Sequence, residues 1–444
     1  LKTKTLLFAA LFISLAGFSQ KKWTLKECVN HALENNITIK QNKLNIDIAE
    51  KDVDISKGNF LPDLNGSSNA GFNSGLSPDR TGVLQNTQNA RTSFDLSSRG
   101  NIFNGFRNIN TKKQALLGVE RSKLDLKVIE NDISLNVVNT YLNVLFAKEN
   151  LVVAVTQAEI SKNQINRAKA QFDAGAIPKG DLLNVQSTAA NDSQNVITQE
   201  NTLNLALLRL SQFIQVSSEG FDVENINIDS PSSSLLYDNA NQVYQKALSN
   251  RPEIKKVKLD TENAKLNIDL EKGAYLPTLS YSLGMGSSFV HQFNNLAPGQ
   301  SNTYFFKQVL KDRINYSVGL SLNIPIFNRF QTKNRVAKSV INKEQTTYAL
   351  ESKKLQLQQE IEKSFLDAKA AVKTFEAAEI SLNAQKEAFK NAQVSYDYGS
   401  MTQFDFDQVR NRLVNAEGAM IRSKYDYVFK TKVLKFYFGE SIVD

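Results

Sequence analysis

Cysteine is all but missing from this chain. Cys28 is the only one in 444 residues, which excludes any intrachain disulfide. Histidine is nearly as scarce, with His31 and His291 far apart in sequence. No nucleophile elbow, phosphate-binding loop or metal-ligand spacing accompanies them. Cys28 and His31 stand at i, i+3, but two ligands fall short of a zinc site, and a packed cysteine beside a surface histidine is the better reading. The pattern argues against an enzyme and calls for neither cofactor nor metal. Proline (8) and glycine (20) are also few, below the usual shares of roughly 5% and 7%, so long uninterrupted helices are easy to build. Beyond the first residues no apolar run is long enough for a membrane helix. The net charge is +8, yet no basic cluster forms. Charges alternate in sign (Glu360, Glu362, Lys363; Lys386, Glu387, Lys390) as on a solvated helix face, and not as a nucleic-acid footprint.

What is present begins with a leader. Lys2 and Lys4 precede an apolar run from Leu6 to Leu15, and Gly17-Phe18-Ser19 puts small residues at the −3 and −1 positions. This predicts a signal peptide over residues 1–19, cleaved before Gln20. With 41% hydrophobic and 22% charged residues, the chain is neither disordered nor a polytopic helical membrane protein.

The remainder reads as one plan written twice. Gly58-Asn59-Phe60-Leu61-Pro62-Asp63-Leu64 returns as Gly273-Ala274-Tyr275-Leu276-Pro277-Thr278-Leu279, 215 positions on (Leu61 to Leu276). Ile102-Phe103-Asn104 with Phe106 returns as Ile326-Phe327-Asn328 with Phe330, and Gln171-Phe172-Asp173-Ala174-Gly175 faces Ser395-Tyr396-Asp397-Tyr398-Gly399, both at 224 (Gly175 to Gly399). The offset grows between these motifs, so an insertion lies there in the second half. We read an internal tandem duplication, with repeats over 20–231 and 232–444. Each repeat is a helix, two strands, a very long helix, a tight turn and a returning helix. The strands are expected at about 62–103 and 277–327. The long helices are expected at about 106–172 and 328–398, and the returning helices at about 181–214 and 402–438. The first helix opens on a Thr24–Glu27 capping box and is expected to run to about Lys57.

In the long helices Ala147, Leu151, Ala154, Ala158, Ser161, Ile165, Ala168 and Phe172 step alternately by four and three. Ala371, Phe375, Ala378, Leu382, Gln385, Phe389, Ala392 and Tyr396 repeat that register. A 3.5-residue period alternating small and large side chains is a coiled-coil seam. The strands separate a structural coiled coil from a membrane protein. Asn315 to Ile324 alternates without fault, as does Thr278 to Gly286, and runs of nine or ten residues exceed the ordinary strand of about five or six and fit membrane-spanning β-strands. The first-half pair is poorer, with Leu64 to Phe72 mostly small and polar. Gly75 to Ala90 and Ser287 to Lys311 read as polar loops. Four strands cannot close a barrel, and an open edge in lipid leaves backbone groups unsatisfied, so the chain must pool strands with copies of itself.

These features together resemble the TolC-type outer-membrane efflux protein family over essentially the whole chain, about Trp23 to Gly439. The resemblance implies an α+β membrane protein, a homotrimer with four strands per protomer. These form a joint transmembrane β-barrel continued by a long coiled-coil α-helical barrel across the periplasm. It implies residence in the outer membrane, contact with outer-membrane lipid, and partnership with a periplasmic adaptor (membrane fusion) protein and an inner-membrane pump of RND or ABC type. The expected role is the passive exit duct of a tripartite efflux pump. The alternatives are an exit duct for type I protein secretion and a secreted, non-channel structural coiled coil.

Gly175-Ala176-Ile177 and Gly399-Ser400-Met401 look like the family's adaptor-docking tips, although Ala174 and Tyr398 stand where valine is common. Each glycine also suits a left-handed helix cap. Asp181 and Asp405, six residues beyond the tip glycines, match the aspartates of the periplasmic gate. Tyr396 and Asp407 lie beside them, and Gln408 replaces the family's second aspartate. Helix capping competes for both aspartates, with Thr402 and Asp405 resembling a capping box and Asp181 an N-cap. Met401 replaces an arginine that braces the closed state.

Overall fold

The structure is a computed structural model and describes residues 22–78, 82–226, 237, 239–294 and 303–442. The expected leader and the boundary expected between the repeats lie outside the described residues. Two compact units emerge. One gathers residues up to Leu44, Lys123–Lys256 and Glu351 onward; the other takes Asn45–Ser122 and Val257–Leu350.

The first unit is helical. Helix α1 (Leu25–Asn35) starts on the Thr24 capping box, with the Thr24 hydroxyl accepting from the Glu27 N–H and the Glu27 carboxylate accepting from the Thr24 N–H. It does not continue to Lys57. Asn36 turns the chain out of helical conformation, and its side-chain oxygen accepts from the Thr38 N–H, so that α2 (Ile37–Gly58) begins afresh. An asparagine that bonds a nearby backbone N–H competes with the helix it interrupts. At α5 (Ala240–Asn250) and α6 (Pro252–Lys272) Pro252 makes the same break, because the residue before proline leaves the helical region.

The long helices are α3 (Arg107–Asp173) and α8 (Gln331–Asp397), 67 residues each. The returning helices are α4 (Lys179–Ile214) and α9 (Gln403–Phe438), 36 residues each. Every seam position named above is buried or half-buried within its helix. A core of Leu25, Cys28, Val29, Val137, Tyr141, Leu145, Leu210 and Ile214 fixes α1 against α3 and α4. Cys28 is fully buried there, and His31 meets Trp23 edge-on, with ring centroids 5.2 Å apart. A short parallel ladder joins β1 (Lys22–Trp23) to β4 (Asp222–Val223). The buried Tyr141 hydroxyl ties this ladder down, reaching the carbonyls of Trp23 at 3.1 Å and Glu224 at 2.6 Å.

The second unit holds one antiparallel sheet, in the order β2 (Asn65–Pro78), β3 (Leu84–Asn104), β5 (Thr278–Gln292) and β6 (Asn315–Asn323). Two segments read as loops are largely structured. Strand β2 runs through Gly75 to Pro78, β3 starts at Leu84, and β5 continues to Gln292. The rest of the second segment includes a helical turn α7 (Phe305–Lys307), prolonged as a π-turn over Gln308–Asp312. Polar residues hid these strands because one face of the sheet is polar except at Val290.

The ladder register makes that division visible. Phe72, Phe94, Leu96, Leu283, Met285 and Leu320 share one face, while Arg91, Asp95 and Arg99 all lie on the other. The first-half strands therefore carry the same apolar face as the second, diluted by Gly66, Ser68 and Ala70. On β6 the apolar residues Tyr316, Val318, Leu320 and Leu322 are between 61% and 81% exposed, so nothing among the described residues covers them. At the strand-to-helix corners Asn104 donates to the Asn108 side chain, and Asn328 to Thr332, across residues with positive φ (Gly105 and Phe106; Arg329 and Phe330). That accounts for the asparagine of the Ile-Phe-Asn motif. Among the described residues no helix is long and apolar enough to cross a membrane.

Tyr141→Phe removes the hydroxyl that reaches the Trp23 and Glu224 carbonyls and is expected to destabilise the first unit by about 0.5–1.5 kcal/mol. A lowered thermal midpoint of the detergent-solubilised protein checks it.

Candidate functional site: the paired helical turns

Two turns end the long helices, and they are built alike. Gly175 and Gly399 take φ of +71° and +73°. The Ala176 N–H reaches back to the Gln171 carbonyl and the Ser400 N–H to that of Ser395, closing the last helical turns. A Cβ on either glycine would meet nothing within 4 Å, so the backbone conformation and not space calls for glycine here.

The turns meet across a cleft of about 470 Å³ lined by Ala176, Ile177 and Asp181 from one side and Tyr396, Gly399, Ser400 and Met401 from the other. Seven of the eleven expected site residues are thus brought together, and Gly175 sits in its turn just outside. Asp405, Asp407 and Gln408 are not part of that lining. Asp405 is exposed and occupied by its own cap. The Thr402 hydroxyl accepts from the Asp405 N–H at 3.2 Å and donates to its carboxylate at 2.7 Å. Asp181 is not an N-cap, because Pro178 holds that place without a side-chain bond; Asp181 is among the residues lining the cleft instead. Met401 packs with Phe389 and Tyr396 against Phe406, which is fully buried and stacks on the Tyr396 ring at 4.8 Å.

Behind the cleft runs a chain of polar contacts that links all four helices. Arg167 of α3 pairs with Asp397 of α8, and its guanidinium lies 5.3 Å from the centroid of the Tyr396 ring. The Tyr396 hydroxyl donates to Gln403, whose amide donates to Asp407 at 3.0 Å. Arg410, only 4% exposed, stands 3.8 Å from Asp407 and donates to Ser161 of α3 at 2.6 Å and to Asp192 of α4 at 3.2 Å. Ser161 in turn donates to Asp192. The hydrogen bond from Arg167 holds the Asp397 carboxyl below its usual range. Burial pushes the Tyr396 phenol up, with neighbouring carboxylates adding to it and Arg167 opposing.

The sequence profile of the outer membrane efflux protein family matches residues 28–214 and 243–440, most of the chain. The chain belongs to that family. Outer membrane protein TolC of Escherichia coli is 23% identical, covering 98% of this chain and 86% of its own length. The alkaline protease secretion protein AprF of Pseudomonas aeruginosa is 21% identical over 73% of this chain and 64% of its own. Among solved structures, CusC superposes with a TM-score of 0.79 at 16% identity, covering 94% of this chain and 92% of CusC. These findings establish a TolC-like channel fold, helical for the most part with some sheet. They also make this an outer-membrane protein.

Within this efflux-family chain, Arg410, Asp192, Arg167 and Gln403 went unnoticed in the sequence, and Asp397 showed only as part of a repeated motif. Ser161 was visible only as a polar residue in an apolar seam, and that irregularity was the one available signal.

Removing the Arg410 guanidinium strands two carboxylates, so Arg410→Ala is expected to cost about 3–5 kcal/mol. The double variant Arg410→Met, Asp192→Asn should melt higher than Arg410→Ala alone. Because the folded Asp397 is depressed, its pairing contributes above the unfolded value of 3.8 and is lost as pH falls through the folded one. Protease cleavage at the turns should therefore rise below about pH 4, and Asp397→Asn should show that cleavage already at neutral pH.

Proposed function

We propose that three copies of this chain assemble into the exit duct of a tripartite efflux pump, passing small molecules from an inner-membrane transporter through the periplasm and outer membrane. The observation that carries this is the single four-stranded sheet, apolar on one face and open at both edges, β2 and β6. Three such sheets supply twelve strands, and joining β6 of one protomer to β2 of the next leaves no edge in lipid. Aromatic residues support the placement. Phe103, Phe106, Phe327 and Phe330 cluster where strands meet helices, and Phe72, Phe94, Phe289 and Phe293 lie toward the other end. From Leu279 to Phe289 a strand rises about 33 Å at 3.3 Å per residue. Tilted by roughly 45°, that approximates the apolar band of about 25 Å in outer-membrane barrels.

The duplication is part of the same proposal, supported by long and returning helices of equal length in the two halves. In this reading the helices form the periplasmic barrel. The turns at Gly175-Ala176-Ile177 and Gly399-Ser400-Met401 dock the adaptor. Asp405 is free of the cleft and exposed, so three copies would place a ring of carboxylates at the entrance, with Asp181, Tyr396, Asp407 and Gln408 around it. The adaptor and an RND or ABC pump are the proposed partners. Likeness to AprF favours a second reading, export of proteins, and the two differ in phenotype. Deleting the gene should sensitise cells to small toxic molecules under the first and abolish a secreted protein under the second.

Asp405→Ala should alter single-channel conductance or its block by cations in planar bilayers, since side-chain rings tune conduction. Identical traces would remove the aspartate ring from the proposal.

A further inference from the structure

One segment of the sheet unit is spare. Strand β6 ends at Asn315, opposite Gly286, yet β5 runs on to Gln292. Beyond Gly286 that edge of β5 has no strand beside it among the described residues, and the segment containing α7 takes the place. Gln308, nearly fully buried, accepts from the Val290 N–H at 3.1 Å and donates to the Val290 carbonyl at 3.1 Å, imitating a neighbouring strand. Its amide also donates to the Thr303 carbonyl at 2.8 Å, and the Ser287 hydroxyl donates to that of Val309 at 2.6 Å. Phe305 sits against Phe289 at 5.0 Å and Phe94 at 6.2 Å. Ser287, Phe289 and Phe94 belong to the apolar face of the sheet, so the segment is clamped over that face and not over the polar one.

What it turns outward is apolar and basic. Tyr304, Phe306 and Leu310 are between 67% and 87% exposed. Lys307, Lys311 and Arg313 are exposed as well, with one acid, Asp312, among them. No ion pair of these three cations is found among the described residues. Large exposed apolar side chains interleaved with cations suit a lipid boundary, where apolar groups enter the headgroup layer and cations meet phosphate. The segment lies at the strand ends remote from the helices, which is the outer side if the sheet spans the outer membrane.

We propose that residues 304–313 form a foot that grips the outer leaflet. Tyr304, Phe306 and Leu310 enter the headgroup boundary, and Lys307, Lys311 and Arg313 bind the phosphates of an anionic glycolipid. The foot rests on the barrel reading above, since only that reading makes the apolar face the lipid face. It would set the height of the barrel in the membrane at the place where β6 stops.

The test uses the full chain with its single tryptophan replaced (Trp23→Phe) and a reporter introduced by Phe306→Trp or Val318→Trp. Each is reconstituted in vesicles of phosphatidylcholine and a phosphorylated glycolipid, with bromine placed shallow or deep on the acyl chains. Shallow bromine should quench Phe306→Trp at least twofold, and deep bromine should quench Val318→Trp. The triple change Lys307→Gln, Lys311→Gln, Arg313→Gln should lower the glycolipid retained on the purified protein about tenfold by mass spectrometry. Aqueous iodide quenching Phe306→Trp while lipid quenches only Val318→Trp would overturn the foot and leave the barrel standing. No lipid quenching of Val318→Trp would overturn the barrel reading and the foot with it. Unchanged glycolipid in the triple variant would overturn the phosphate recognition.

Discussion

A peptide group in hydrocarbon has no water to bond, so every N–H and C=O must find its partner in protein. The rest of this molecule depends on that requirement. A sheet of four strands satisfies it everywhere except along β2 and β6, and those edges cannot stand alone in lipid. In the proposed assembly, closure by copies of the same chain would remove that cost without adding a residue. The same rule shapes the distal part of β5, where Gln308 supplies by side chain the bonds that β6 no longer supplies by backbone.

The helices meet the requirement by a different route. Each bonds within itself, so length costs little once proline is kept out of its interior and glycine is held to single residues such as Gly118 and Gly418. Their difficulty is at the ends, where several carbonyls and N–H groups lack intrahelical partners. Left-handed glycines close the long helices, and Thr402 opens α9. The polar chain from Arg167 to Asp192 then secures four helix ends that an apolar seam alone would leave in loose register. Such a network is costly to bury and costlier to break.

Much of the architecture was legible because it is periodic. The seam of α3 and α8 showed in single residues, from Ala147 and Ala371 onward, and the capping box at Thr24 needed only local chemistry. The alternation of Asn315 to Asn323 was equally plain. The first-half strands were obscured because Gly66, Ser68 and Ala70 occupy apolar-face positions that their register alone reveals. The break at Asn36 escaped notice since asparagine sits in helices as well as between them. Of the site, Gly175 and Gly399 could be read directly. Arg410 could not, because its partners Ser161 and Asp192 lie far away in sequence and only folding brings them together. Asp405 was read as either a gate residue or a helix cap, and the structure shows the cap.

Self-assembly through the open sheet edges is the central claim, and the oligomeric state tests it most directly. The full-length protein, extracted from outer membranes in mild detergent, should have the mass of three protomers by light scattering. It should fall to a non-conducting monomer when the edges are separated, for instance by proline at successive positions of β6. A monomer that still conducts and keeps its sheet would contradict it.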